Sequence, residues 1–147
     1  MLDLENLQKY HEDSRIEAKQ ALGGLPESLW ETYSAFANAE GGVILLGVEE
    51  LEDKSLHALD ILDTDWMLED FYAVLNDSKR VSANILSPED VQVHEVDGKH
   101  IISIHVPKAP PTLRPIYIDG DLYHGSYVRI GEADIRLTKE EIDNMRV

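Results

Sequence analysis

The chain has 147 residues, no cysteine, and 29 acidic against 13 basic side chains, for a formal net charge of −16 at pH 7. This is the size of one domain, able to bury roughly two-thirds of its unfolded surface, and the lack of cysteine excludes disulfides, thiolate nucleophiles and cysteine-based zinc sites, as suits a reducing cytoplasmic setting. No apolar run reaches the ~20 residues of a membrane-spanning helix, and the acidic start Met1-Leu-Asp-Leu-Glu5 is unlike a signal peptide, so a soluble protein without a membrane partner is expected.

Leu2, Leu4 and Leu7, set among acids and amides, mark residues 1–11 as a short helical extension. Ser14 to Lys19 reads as a strand, with Ile16 and Ala18 on one face and Glu17 and Lys19 on the other. Gly23-Gly24 breaks the chain. Pro26 suits a first helical turn, Glu27 and Glu31 complement the dipole, and Leu29, Tyr33, Phe36 and Ala37 form one apolar stripe. The helix should stop near Asn38, where Gly41-Gly42 releases the backbone. Val43 to Val48 is continuously apolar and reads as a central strand covered on both faces. Leu51 to Asp65 is an acidic connection, and Trp66 to Leu75 a second amphipathic helix ended by Asn76-Asp-Ser78.

Val91 to Val106 is a hairpin: Asp97-Gly98 supplies the positive-φ turn, pairing Val93 with Ile102 and Val91 with Ile104. Pro107, Pro110, Pro111 and Pro115 stiffen the connector that follows. Ile116-Tyr-Ile118 and Tyr127 to Ile130 read as strands around Asp119-Gly120. Thr138-Lys-Glu-Glu141 is a capping box opening a terminal helix, cut short at Val147, so a further domain is expected to follow or the chain is a domain trimmed from a longer one.

The stretch Ser34-Ala-Phe-Ala-Asn38-Ala-Glu-Gly41-Gly42-Val-Ile-Leu-Leu-Gly47-Val-Glu-Glu50 joins a helix end, a glycine turn, a buried strand and an acidic exit. With Glu17-Ala-Lys19 upstream and Tyr127-Val-Arg129-Ile-Gly131 downstream, it resembles the Schlafen AlbA_2 domain of bacterial predicted transcriptional regulators and Schlafen proteins. The resemblance spans roughly Glu12 to Ile142, and its first half is the more specific. It implies an α+β fold: one domain over residues 12–142, with a mixed sheet and helices packed on it. Asn38, Gly41, Gly42, Gly47 and Gly131 are its structural motif positions.

In the Schlafen proteins that cut RNA, the resemblance implies three carboxylates, matched here by Glu12, Glu17 and Glu50, with Lys19 near the scissile phosphate. The third position is more usually Asp, so Glu50 is a departure. Oxygen ligands of this kind suit Mg²⁺ or Mn²⁺. Five residues of straight strand span roughly 16 Å, so Glu12 and Glu17 can share an ion only if the chain bends near Asp13-Ser14. The alternative is that an acidic chain places carboxylates everywhere.

Lys19, Arg114, Tyr127 and Arg129 are the candidate nucleic-acid contacts, since arginines alternating with aromatics on strands can meet phosphates and stack bases. The other reading makes Tyr117 and Tyr127 half-buried sheet residues and the arginines local counter-charges. Gly41-Gly42 follows a helix C-terminus, which repels anions, and reads as a turn with close strand packing. Nothing matches Walker A, which argues against an ATPase. The six histidines lack metalloprotease spacing and read as surface or sheet-edge residues, His100 lying across from Glu95.

The leading expectation is a nucleic-acid (DNA)-binding module of a bacterial transcriptional regulator, with a homodimer admissible; the alternatives are a metal-dependent endoribonuclease of Schlafen type and an interaction or sensor domain without nucleic-acid binding. The net charge opposes a DNA or RNA partner. Residues 1–70 hold 17 acids and 4 bases, and residues 71–147 hold 12 acids and 9 bases, so any polyanion-facing surface belongs to the second half.

Overall fold

In the computed structural model, which describes residues 2–146, a short 3-10 helix over Leu4–Lys9 precedes the strand Ile16–Lys19 (β1). The helix Ser28–Ala37 (α1) follows and leads to Gly42–Leu46 (β2), which runs parallel to β1 with Glu17 beside Ile44 and Lys19 beside Leu46. A parallel pair needs a crossover, and α1 supplies it. Asn38 is its C-cap, as the glycine turn predicts, and Gly41 takes φ +81 while donating its N–H to the Phe36 carbonyl.

The strand expected over Val43 to Val48 is two strands. Gly47, at φ +78, ends β2 and turns the chain into Val48–Glu50 (β3), which pairs with Leu56–Ala58 (β4) in a separate two-stranded sheet. Gly47 donates to the Lys19 carbonyl and accepts from Leu59 N–H, so its backbone links the two sheets. The acidic connection expected over Leu51 to Asp65 thus contains β4. Thr64–Leu75 (α2) follows, N-capped by Asp63.

The hairpin Val91–Val96 (β5) and Lys99–Val106 (β6) has the predicted register, Val93 on Ile102, Val91 on Ile104 and Glu95 on His100. It completes a mixed sheet of order β1-β2-β6-β5. Ile116 to Ile118 forms bridges rather than a strand, to Val81 and Ser126. Tyr127–Ile130 (β7) instead pairs with Ala133–Arg136 (β8), an element the sequence reading omits, through a two-residue turn with Gly131 at φ +60. The terminal helix Lys139–Met145 (α3) opens with both halves of the Thr138/Glu141 capping box. What becomes of it at Val147 lies outside the described residues.

The two faces of the main sheet bury different cores. On one, Leu29, Trp30, Tyr33 and Phe36 of α1 and Phe71 of α2 pack against Ile44, Leu46, Ile102 and Ile104. On the other, Leu7, Val48 and Leu56 cover Ile16, Leu45 and Ile101. Glu17 and Lys19 alternate with Ile16 and Ala18 and so lie on the α1 side.

Candidate functional site

The segment before β1 folds back on itself. Asp13 N–H donates to the Ile16 carbonyl at 3.1 Å, Arg15 N–H donates to Asp13 Oδ1 at 2.7 Å, and Ser14 and Arg15 form a bend. Through this bend Glu12 returns alongside the strand, where its Oε2 accepts from Ala18 N–H at 2.9 Å. Glu12 there meets Glu17 and Glu50. Burial pushes its carboxyl above the ordinary range and Glu17 adds to the effect, opposed by the Ala18 N–H and Glu50.

The compact oxygen cluster is Glu12, Glu50 and Glu132, whose donor atoms lie within 4.8 Å of one another. Glu132 sits at the β7–β8 turn directly after Gly131, whose positive φ at the first turn position builds a tight hairpin. The Oε2 of Glu50 is buried without a hydrogen-bond partner, while its Oε1 lies 3.6 Å from Lys54 Nζ. Lys54 and Glu132 are both missed by the sequence reading. Glu17, expected in the metal set, lies against Glu12 but has its Oε1 engaged by Arg129, and it is not part of this cluster. Lys19 donates to Ser28 Oγ at 2.9 Å, at the start of α1.

Arg129 does not face solvent. Its side chain is 0 % exposed, and it donates to Glu17 Oε1 and Asp134 Oδ1, each at 2.7 Å, and to the carbonyls of Asp13 and Ile16. Its guanidinium also lies 4.9 Å from the centre of the Phe36 ring. Burial works against its charge, but Asp134 and Glu17 outweigh that and raise its pKa. With these donors engaged, Arg129 is a structural clamp holding the bend, β1 and β8 together, which corrects its expected role as a phosphate contact. Tyr127 is likewise buried, with its carbonyl held by Asn38 and its hydroxyl near Arg136, so its ring is withdrawn from base stacking.

Ser34 and Asn38, one turn apart on α1, form a buried polar clamp. Asn38 Nδ2 donates to the carbonyls of Ile116 and Tyr127, and its Oδ1 accepts from Ile116 N–H at 2.7 Å. Ser34 Oγ donates to the Ile116 carbonyl and accepts from Tyr127 N–H. The motif asparagine therefore fastens the helix to β7 and to the segment before it. Gly42 has no room for a side chain: a Cβ there would lie 2.8 Å from the Phe36 ring and 2.9 Å from the Arg15 carbonyl. Arg114 is half-buried and lines a cavity of 220 Å³ with Tyr117 and Arg146. Neither arginine forms a salt bridge among the described residues.

The family model described as Schlafen, AlbA_2 matches residues 12–138. The chain belongs to the Schlafen AlbA_2 family. This AlbA_2 domain is similar to the solution structure of the N-terminal domain of a RecG-related protein from Nitrosomonas europaea, which is named provisionally as an ATP-dependent DNA helicase. The two share 32 % identity at a TM-score of 0.65, over 92 % of this chain and 90 % of that one. The DIP2311 protein of Corynebacterium diphtheriae shares the fold at 20 % identity and a TM-score of 0.57, over 84 % of this chain and 22 % of that one. No curated protein matches. Among the described residues, no helix is long and apolar enough to cross a membrane.

Proposed function

We propose that this AlbA_2 domain acts on nucleic acid as a divalent-cation-dependent phosphodiesterase, with Glu12, Glu50 and Glu132 holding the ion. The observation that carries the reading is the convergence of the three carboxylates, whose donor atoms lie within 4.8 Å of one another, together with the buried Glu50 Oε2 that has no hydrogen-bond partner. An all-oxygen donor set fits Mg²⁺ or Mn²⁺. An ion held there would supply polarisation of a phosphate and a more acidic attacking water. The chain's own contribution is positional: the Asp13–Ile16 bend sets Glu12, the hairpin turn sets Glu132, and the Arg129–Glu17 pair locks both supports together. Lys54 lies on the rim, where its charge offsets the carboxylates. A nucleic-acid substrate is supported by family membership and by the helicase-related name of the Nitrosomonas protein.

A second reading, the DNA-binding domain of a transcriptional regulator, is supported by Arg114 and Arg146 facing one cavity beside Tyr117. One titration separates the two. Labelled structured RNA, single-stranded DNA and duplex DNA are added at low salt, with and without Mn²⁺. Mn²⁺-dependent cutting that disappears in Glu50→Gln is the expected result. Binding without cutting, falling steeply with salt and weakened in Arg114→Ala, returns the regulator. Silence with every probe overturns both and leaves an interaction domain, which the net charge of −16 favours.

A further inference from the structure

We infer that Leu22, Leu62 and Trp66 form the seat of a protein partner that presents an apolar side chain flanked by lysine or arginine. Leu62 is 92 % exposed, Leu22 64 % and Trp66 55 %, and all three line one cavity of 490 Å³ between the loop after β1 and the start of α2. A cluster of large apolar side chains on so charged a chain marks an interaction surface more than chance exposure does. The cavity shares no lining residue with the Glu12–Glu50–Glu132 cluster.

The loop is shaped for this display. Ala21 adopts φ +56, a conformation that residues other than glycine rarely take, and Gly24 follows at φ +118. Gly24 lies against the indole, where a Cβ would come within 3.7 Å of Trp66 Cη2. The strained backbone holds Leu22 outward instead of folding it into the core, and strain of this kind concentrates at functional surfaces.

Charge selects the occupant. Among the described residues, Asp60 and Asp63 line the cavity and no lysine or arginine does, while Lys99 and His100 act on Asp60 from outside the lining. Both carboxylates are fixed: Asp60 accepts the His100 N–H at 2.8 Å, and Asp63 accepts the Trp66 N–H at 2.9 Å as the cap of α2. A phosphate backbone would meet fixed negative charge here, whereas a basic amphipathic segment finds an apolar seat with a complementary rim.

Trp66 reports the site directly, because the other tryptophan, Trp30, is buried and stacked on Phe71. The intact chain is titrated with a leucine/lysine peptide patterned as an amphipathic helix, with the same peptide carrying serine for every leucine, and with oligothymidylate. The expected result is a saturable blue shift of emission with the first peptide alone. Affinity should fall about tenfold or more in Leu22→Ser/Leu62→Ser and stay unchanged in Ile130→Ser, an exposed apolar residue outside the cavity. Both leucines are exposed, so an unchanged unfolding midpoint verifies that the double variant is folded. Equal binding of the serine peptide, indifference to the leucine substitutions, or a shift with oligothymidylate instead would each overturn the inference.

Discussion

Arg129 Nη1 lies 2.7 Å from Glu17 Oε1, so the guanidinium expected to grip phosphate and a carboxylate expected to grip metal satisfy one another. Their partners extend the contact: Asp134 takes the same nitrogen, and the carbonyls of Asp13 and Ile16 take the other edge. The ion pair is part of the scaffold that shapes the acidic site.

Arg129→Ala should therefore act on stability. It leaves the largely buried Glu17 and Asp134 without their counter-charge, with Thr32 still donating to Asp134 Oδ2, a loss of about 3–5 kcal/mol for a broken buried pair. Arg129→Lys should recover little, because an ammonium cannot span two carboxylates and two carbonyls as the planar fork does. Urea unfolding midpoints measure both. An unchanged midpoint combined with weakened nucleic-acid binding would restore Arg129 as a surface contact.

Asn38→Ala removes the single side chain that satisfies Ile116 N–H and helps satisfy the carbonyls of Ile116 and Tyr127. Ser34 Oγ retains part of the Ile116 and Tyr127 bonding but cannot serve Ile116 N–H. A buried group left without a partner costs about 1–3 kcal/mol, so the thermal midpoint should drop by several degrees. Asn38→Asp should fall as far, since a carboxylate has no N–H for the two carbonyls.

The hairpin of β5 and β6 was legible because its determinants are local: Asp97-Gly98 sets the turn, and the β-branched alternation around it sets the register. β4 was not, since Leu56-His-Ala is short and becomes a strand only through tertiary pairing with Val48–Glu50. Gly47 read as one more strand residue because its positive φ comes from leaving the main sheet toward β4, a long-range event. The carboxylates Glu12 and Glu50 came from family resemblance, and Glu132 was missed because Ala133 to Arg136 carries too weak a strand pattern to reveal the β7–β8 turn. The Gly131-Glu132 pair was the signal available. Burial of Arg129 depends on Asp13, Ile16 and Glu17, which no spacing near residue 129 reveals.

Glu12 gives the fold a pH dependence of definite sign. Its carboxyl is raised above the ordinary value of 4.5, mainly by burial. The folded state thus takes up that proton more readily than the unfolded chain. This contribution to stability is fully present below the ordinary value and is lost as pH rises through the raised one. Metal-free Glu12→Gln should therefore be more stable than wild type at neutral pH, with the gap closing on acidification. Added Mn²⁺ should raise the midpoint of the wild type and not that of the variant. Thermal unfolding across the acid-to-neutral range checks both, and a gap independent of pH would refute the assignment.

Gly42→Ala tests the close packing of α1 on β1 and β2. Gly42 has no positive φ, so the penalty is steric: the new methyl would meet Phe36 Cδ1 and Cε1 at 2.8 Å and the Arg15 carbonyl at 2.9 Å. The carbonyl is fixed, because it accepts Val43 N–H at 2.8 Å. The ring must therefore move, and it also carries the Arg129 guanidinium on its face. Overpacking of this kind costs about 1–3 kcal/mol. Gly23→Ala, with nothing within 4 Å of the added carbon, should be neutral within about 0.5 kcal/mol. Combining Gly42→Ala with Phe36→Leu should lose less than the sum of the two single changes, because the smaller side chain yields the space the methyl needs. Strict additivity in that cycle would mean that the methyl is accommodated elsewhere and that Phe36 does not set the approach of helix to strand.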